Sequence, residues 1–125
     1  MVNQGTNSVT YCYNTGDVEG VYTYVGGIAG LNNKAMSTIE YCYSTGNIKG
    51  RTNVGGIVGK NIGSVTNSYY LENRVTVTTG NKTELGEEKD ETGIKNITNI
   101  EKWKSYFKND KSPNINKGWP ILMWQ

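Results

Sequence analysis

The chain has 125 residues, enough for one compact unit, with 16 glycines, nine tyrosines, 13 basic and 11 acidic side chains and no histidine. Without histidine, imidazole-based triads, histidine zinc sites and imidazole acid–base pairs are excluded. The net charge of +2 is small and scattered, which argues against nucleic acid or an anionic membrane as a partner, and no apolar run is long enough to span a bilayer.

In chain order, Asn3-Gln4-Gly5 is similar to Asn61-Ile62-Gly63, so the sequence is expected to begin inside a repeat of a larger exported protein, with no signal-peptide pattern at its start. Val9 to Gly30 (VTYCYNTGDVEG, then VGGIAG) is then written again from Ile39 to Gly59 (IEYCYSTGNIKG, then VGGIVG). A third copy starts at Val65 and stops after Tyr70. The spacings of 30 and 26 residues differ by insertions between the apolar words, and periods of this size signal a stacked array.

Each period holds three β-like words: Ile/Val-x-Tyr-Cys-Tyr, Asp/Asn-Val/Ile, and Val-Gly-Gly-Ile-x-Gly. Glycine and asparagine mark the junctions, where the chain must turn. Three strands and three corners make one coil. Such a coil cannot bury its own apolar side chains, but another coil about 4.8 Å above it lets identical positions stack. The expected fold is mostly β, a right-handed parallel β-solenoid of about two and a half coils.

Gly27-Ile28-Ala29-Gly30 and Gly56-Ile57-Val58-Gly59, with Asn32, Asn61 and the Tyr-Cys-Tyr-x-Thr-Gly words carrying Cys12 and Cys42, resemble the Gly-Leu-any-Gly signature of GLUG-motif repeats. The resemblance covers about residues 3 to 71. Ile28 and Ile57 replace the usual leucine, and the third copy lacks the glycine cluster. Such repeats occur in large secreted or surface-attached bacterial proteins, some of them adhesin-like, and in segments beside peptidase modules. The resemblance therefore implies extracellular or cell-wall localisation.

Residues 1–71 form the expected solenoid, 72–98 a charged loop or linker, and 99–125 a cap over the exposed last coil. Glu84, Glu87, Glu88, Asp90 and Glu91 crowd in the linker, but Lys82, Lys89 and three flanking glycines make it read as a solvated, mobile loop rather than a calcium site. Thr98-Asn99-Ile100-Glu101 resembles a capping box, and Ile100, Trp103, Tyr106 and Phe107 recur at helical spacing, so a helix is expected over 99–109. Trp119 to Trp124 reads as an edge strand whose tryptophans pack under that helix, in a style similar to natural C-termini of GLUG-containing proteins.

For chemistry, Cys12 and Cys42 occupy equivalent positions in consecutive coils and are read as a buried thiol ladder, with a disulfide as the alternative and no base to activate a catalytic thiol. The coil acids Asp17, Glu19 and Glu40 do not align into a groove, so no catalytic carboxylate pair, metal site or cofactor is expected. The tyrosines at 11, 13, 41, 43, 69 and 70 should form columns, stacking on one another or offering a platform for a sugar ring or protein. Tyr22 and Tyr24, in the longer loop before the first glycine cluster, are the candidate exposed binding surface. The expectation is a noncatalytic stalk or adhesive module, projecting from or contacting a host or neighbouring-cell protein or glycan. The alternative is an accessory region of a secreted peptidase or glycan-active enzyme whose catalytic module lies upstream. An uncovered solenoid edge also predicts edge-to-edge self-association.

Overall fold

The computed structural model describes residues 2–3, 7–111 and 114–125. The chain is mostly β and its strands stack in parallel sheets that do not close into a barrel. Val9 pairs with Ile39, and Ile39 with Val65, which is the register the repeat demands.

The three apolar words of each repeat yield five strands rather than three. In the first repeat these are β2 (Ser8–Thr10), β3 (Tyr13–Asn14), β4 (Val18–Glu19), β5 (Thr23–Gly26) and β6 (Ala29–Asn32), preceded by β1 (Val2–Asn3). The second gives β7 (Thr38–Glu40), β8 (Tyr43–Ser44), β9 (Ile48–Gly50), β10 (Thr52–Gly55) and β11 (Val58–Asn61). The sheets are β2-β7, β3-β8, β4-β9, β5-β10 and β1-β6-β11, each continued by later strands except the last. The extra breaks have local causes. Tyr11 and Tyr41 sit at φ of 53° and Asn67, their counterpart, at 45°, so the Tyr-Cys-Tyr word turns a corner inside itself. This left-handed conformation costs a tyrosine about 1–3 kcal/mol and an asparagine less, so the stacked backbones must hold it in place.

The second break falls in the glycine cluster. A Cβ on Gly26 or Gly55 would overlap the carbonyl of Ala29 or Val58 across the turn, so β5 can bend into β6, and β10 into β11, only with glycine there. Gly27 and Gly56 face the interior, where an added Cβ would meet Ser44 and the ring of Tyr70 respectively. Inside lie Ala29, Ile39, Cys42, Ile57, Val58 and Tyr70, with Val25, Ile48 and Val54 as a second buried group. Polar ladders line the corners. Asn32, fully buried, donates through Nδ2 to Asn61 Oδ1 at 2.7 Å, and Asp17 Oδ1 accepts from the Asn47 backbone N–H at 2.9 Å and from its Nδ2 at 3.1 Å.

The segment 72–98 is not the mobile linker expected. After β12 (Ser64–Thr66) and β13 (Tyr69–Leu71) come β14 (Val75–Val77), β15 (Lys82–Thr83) and β16 (Glu87–Lys89), each in parallel register with the sheets already described. Their charged side chains stay outside while the backbone ladders continue beneath them. Without a third glycine cluster the chain passes from β15 through Leu85 straight to β16, turning at Gly86 (φ +85°), and Leu85 packs against the Ile57 cluster. The acidic residues are therefore ordered, and Asp90 caps α1 (Glu91–Lys95) by accepting the Gly93 N–H at 2.7 Å.

The tail also departs from expectation. Instead of one helix over 99–109 there is α1, a 3-10 turn at Asn96–Asn99 and a short α2 (Trp103–Tyr106), interrupted at Lys102 with φ of 69°. Thr98 does not cap a helix, because its hydroxyl donates to Asn109 Oδ1. Phe107 is extended, so β17 (Phe107–Lys108) pairs antiparallel with β18 (Ile121–Leu122), the only part of the expected 119–124 strand that forms. Nor does the tail lie over the end of the stack. It runs down the flank of the β3-β8-β13 sheet, because the stacked tyrosines present an aromatic face there. Trp103 stacks on Tyr69 and meets Tyr41 edge-on, Phe107 meets Tyr13 and Tyr43 edge-on, and Tyr106 stacks on Tyr11. Tyr43, Tyr69, Leu71, Ile94, Ile97, Trp103 and Phe107 make a core outside the sheet. Trp103 is buried and Trp119, half-buried beside Lys95, packs against this core as expected, whereas Trp124 is 79% exposed and does not.

Asp110 organises the last loop. Its carboxylate accepts from the backbone N–H groups of Ile115 (2.9 Å), Asn116 (2.6 Å) and Gly118 (3.0 Å). Asn116, so placed, accepts from the Thr15 hydroxyl at 3.1 Å and donates to the Tyr43 hydroxyl at 3.1 Å, which itself donates to the Pro120 carbonyl.

Two outcomes are expected. Gly56→Ala should destabilise by about 1–3 kcal/mol through overpacking against Tyr70, while Gly16→Ala, whose Cβ meets Asn14 at an ordinary 3.5 Å, should stay within about 0.5 kcal/mol, as read by urea denaturation. Desolvation alone would raise the Asp110 carboxyl, but the three backbone donors outweigh it and hold the group below its ordinary value. A carboxyl lowered on folding contributes stability above its unfolded pKa and loses it as pH falls toward the folded value. Acidification below about pH 4 should therefore loosen the 114–118 loop, measured as proteolysis near Asn114, and Asp110→Asn should show the loosened state already at neutral pH.

Candidate functional site

The residues singled out in the sequence fall on three sides of the stack rather than in one site. Gly27, Ile28 and Gly30, with Gly56, Ile57 and Gly59, form the corner joining β5 to β6 and β10 to β11. Ile57 is fully buried, and a Cβ on Gly59 would press on the Tyr24 and Val25 backbone at 2.6 Å. These residues make the coil narrow; none of their side chains offers a reactive group.

Cys12 and Cys42 stand at the next corner, one above the other, and both are free thiols. Cys42 is fully buried and Cys12 half-buried. The Cys12 thiol lies 3.2 Å from the Thr10 carbonyl, and the Cys42 thiol 3.3 Å from that of Glu40. The two thiols influence each other, which draws Cys12 below its ordinary value despite burial and, together with burial, pushes Cys42 up. Both belong to the interior cluster with Ile39 and Ile57, where compact apolar side chains are needed.

Tyr70, in register with Ser44, packs in the interior beside Ile57 rather than in a tyrosine column, but the other columns form, with ring centroids 5.5 Å apart for Tyr11–Tyr41 and 5.3 Å for Tyr13–Tyr43 and with Tyr69 in register beside Tyr43. They are not a platform for a ligand, because the tail covers them. Tyr43 and Tyr69 are buried, Tyr43 is pushed well above the ordinary phenol value by burial, and Tyr11 is raised to about 12 by its hydrogen bond to Tyr106 and by desolvation.

Tyr22 and Tyr24 lie on the opposite side and remain open. Tyr22 is 74% exposed, beside Val21 at 79%, and lines an open recess of about 480 Å³ with Thr23, Arg51, Thr52, Thr79 and Gly80. Tyr24 has φ of 62°, a bulge matched above it by Asn53 at 52°, and Lys60 lies 5.4 Å from its ring centroid. The bulge explains why Thr23 pairs with Thr52 and Val25 with Val54 while the residues between them are pushed outward. Thr23 donates to the Thr52 carbonyl at 3.0 Å, and Thr52 accepts the Asn81 N–H at 2.9 Å. The floor of the recess is thus a stacked threonine ladder, rimmed by a phenol and a guanidinium.

A second recess, of about 560 Å³, lies in the tail between the 3-10 turn and the β17-β18 pair. Sequence reading missed it, as it missed the Asp110 loop, since both need residues distant in the chain to meet. The acidic cluster does not assemble a site: Glu87 pairs with Lys89, Glu91 with Lys95, and among the described residues no three cysteine or acidic side chains converge on a metal position. Among the described residues no helix is long and apolar enough to cross a membrane.

Among curated proteins and among solved structures, none matches this chain. Residues 21–49 match the family model described as the GLUG motif. That stretch opens at the Val21 corner, takes in Gly27 to Gly30 and the Tyr41-Cys42-Tyr43 word, and closes at Lys49, which pairs with Glu19. One GLUG motif is therefore one full circuit of the chain, and residues 21–49 of this protein are such a motif.

Proposed function

We propose that this chain is a noncatalytic, adhesive or projecting repeat module of a secreted or cell-surface bacterial protein, built as a right-handed solenoid of about three coils rather than two and a half, since β14, β15 and β16 continue the sheets beyond the last repeat word. Its handedness follows from the near-universal right-handed crossover between parallel strands. The observation that carries the reading is the division of labour between faces. The interior and the tyrosine flank are used up in packing, while Tyr22 and its recess are held open on a rigid ladder. An exposed phenol over threonine hydroxyls suits a sugar ring or a protein surface, because the ring gives contact area at low entropic cost and the hydroxyls give hydrogen bonds. The proposed partner is a glycan or protein on a host or neighbouring cell. No chemistry is assigned to Cys12 or Cys42, whose role here is to fill the core. The outer edges of β2, β3, β4 and β5 are the ends of their sheets among the described residues, and edge-to-edge pairing of two copies there is part of the same proposal.

Tyr22→Ala, alone and with Tyr24→Ala, should leave the unfolding free energy within about 0.5 kcal/mol of the parent, since both side chains are on the surface. Binding of the labelled module to bacterial or host cells, or to a glycan array, should fall at least tenfold. Undiminished binding by the double variant would remove this face from the proposal.

A further inference from the structure

The second recess has a chemistry the sequence disguises. The net charge of +2 conceals a split: residues 99–125 carry Lys102, Lys104, Lys108, Lys111 and Lys117 against Glu101 and Asp110, whereas residues 1–98 carry nine acids against eight bases. Lys104, Lys108 and Lys111 all line the recess, and among the described residues no acidic side chain does. Asp110, the nearest carboxylate in sequence, is turned away and spends both oxygens on backbone amides. Lys104 reaches Glu101 at 2.5 Å, but Glu101 is exposed and the pair is screened by water; Lys108 and Lys111 make no ion pair among the described residues.

Between the lysines the lining is of two further kinds. Thr98 donates to Asn109 Oδ1 and Gln125 Oε1 accepts from Tyr13 and Leu122, so the neutral groups offered to a ligand are the Thr98 hydroxyl as acceptor, the Asn99 amide and the Asn109 and Gln125 amide N–H groups, while Ile115 and Met123, each about half exposed, supply an apolar wall over the buried Phe107 and Ile121. We propose that this recess binds an acidic saccharide, with its carboxylate or sulfate against the lysine rim, its hydroxyls on the amide and threonine groups, and its ring against Ile115 and Met123. The volume falls in the range of small-ligand sites, roughly 300–1,000 Å³, and fits a segment of one or two sugar units. A lipid headgroup would need the cations but not four neutral hydrogen-bonding partners, and three lysines are few for a phosphate backbone, whose binding grows with the number of charges neutralised. This site is separate from the Tyr22 recess, so its failure would leave that reading intact.

The test is calorimetric titration of the full chain with two acidic tetrasaccharides, an oligogalacturonate and a heparin fragment. The controls are the methyl-esterified oligogalacturonate, inorganic polyphosphate and phosphatidylglycerol vesicles. Binding of one acidic tetrasaccharide is expected, at least tenfold tighter than the neutral form. It should weaken at least tenfold in Lys104→Gln/Lys108→Gln/Lys111→Gln and stay unchanged in Lys34→Gln/Lys49→Gln/Lys60→Gln. The oligogalacturonate and heparin arms tell a carboxylate ligand from a sulfate ligand. Ile115→Ala with Met123→Ala should weaken binding without altering its salt dependence. The proposal is overturned if neither tetrasaccharide binds, if both lysine triples lose binding equally, or if polyphosphate or vesicles bind as tightly as the saccharide.

Discussion

Everything in this molecule depends on in-register stacking of parallel backbones. When Val9 lies beside Ile39 and Ile39 beside Val65, every other position of one pass is fixed relative to the next, and a residue is acceptable only if its whole column accepts it. Side chains that repeat cheaply fill the columns: isoleucine on isoleucine, thiol beside thiol, asparagine donating to asparagine. The same constraint explains why a costly backbone state recurs. Tyr11 and Tyr41 share a left-handed corner because the ladders on either side hold both, and where the repeat decays the corner survives with Asn67, a residue that tolerates it better.

The aromatic flank is the second determinant. Stacking places Tyr13 over Tyr43 and Tyr11 over Tyr41, and such a surface is too apolar to leave bare. The tail covers it with Trp103 and Phe107, giving the protein two cores separated by one sheet. Trp103 Nε1 is buried there with no acceptor among the described residues, a cost of about 1–3 kcal/mol that the surrounding ring contacts must offset.

Much of the stack was legible in the sequence because its signal is repetition: the register, the core columns and the glycine corners can all be read by aligning the chain with itself. Five strands in place of three were not, since the breaks arise from positive φ at Tyr11 and from turn sterics at Gly26, which a hydrophobic pattern does not report. The charged segment 72–98 misled for a related reason. Parallel pairing is made by the backbone, so Glu87–Lys89 can be a strand while looking like a solvated loop. The tail was least legible. Its helical spacing, Ile100 to Phe107, serves a flank whose shape exists only after the tyrosines have stacked, and the lysine recess appears only once Thr98, Lys111 and Gln125 are brought together. Tyr22 was legible as an unpaired aromatic in a longer loop, and its exposure agrees with that reading.

The tail's contacts also bear on how the module unfolds. A repeat array normally frays from an end, since each unit touches only its neighbours. Here Gln125 accepts the Tyr13 hydroxyl and Asn116 the Thr15 hydroxyl, across 112 and 101 residues of chain. The last segment straps the first circuit to the third, so peeling one circuit away means breaking the strap and stripping the aromatic flank at once. Such long closures form late in folding. The module should then melt as a single cooperative unit rather than circuit by circuit.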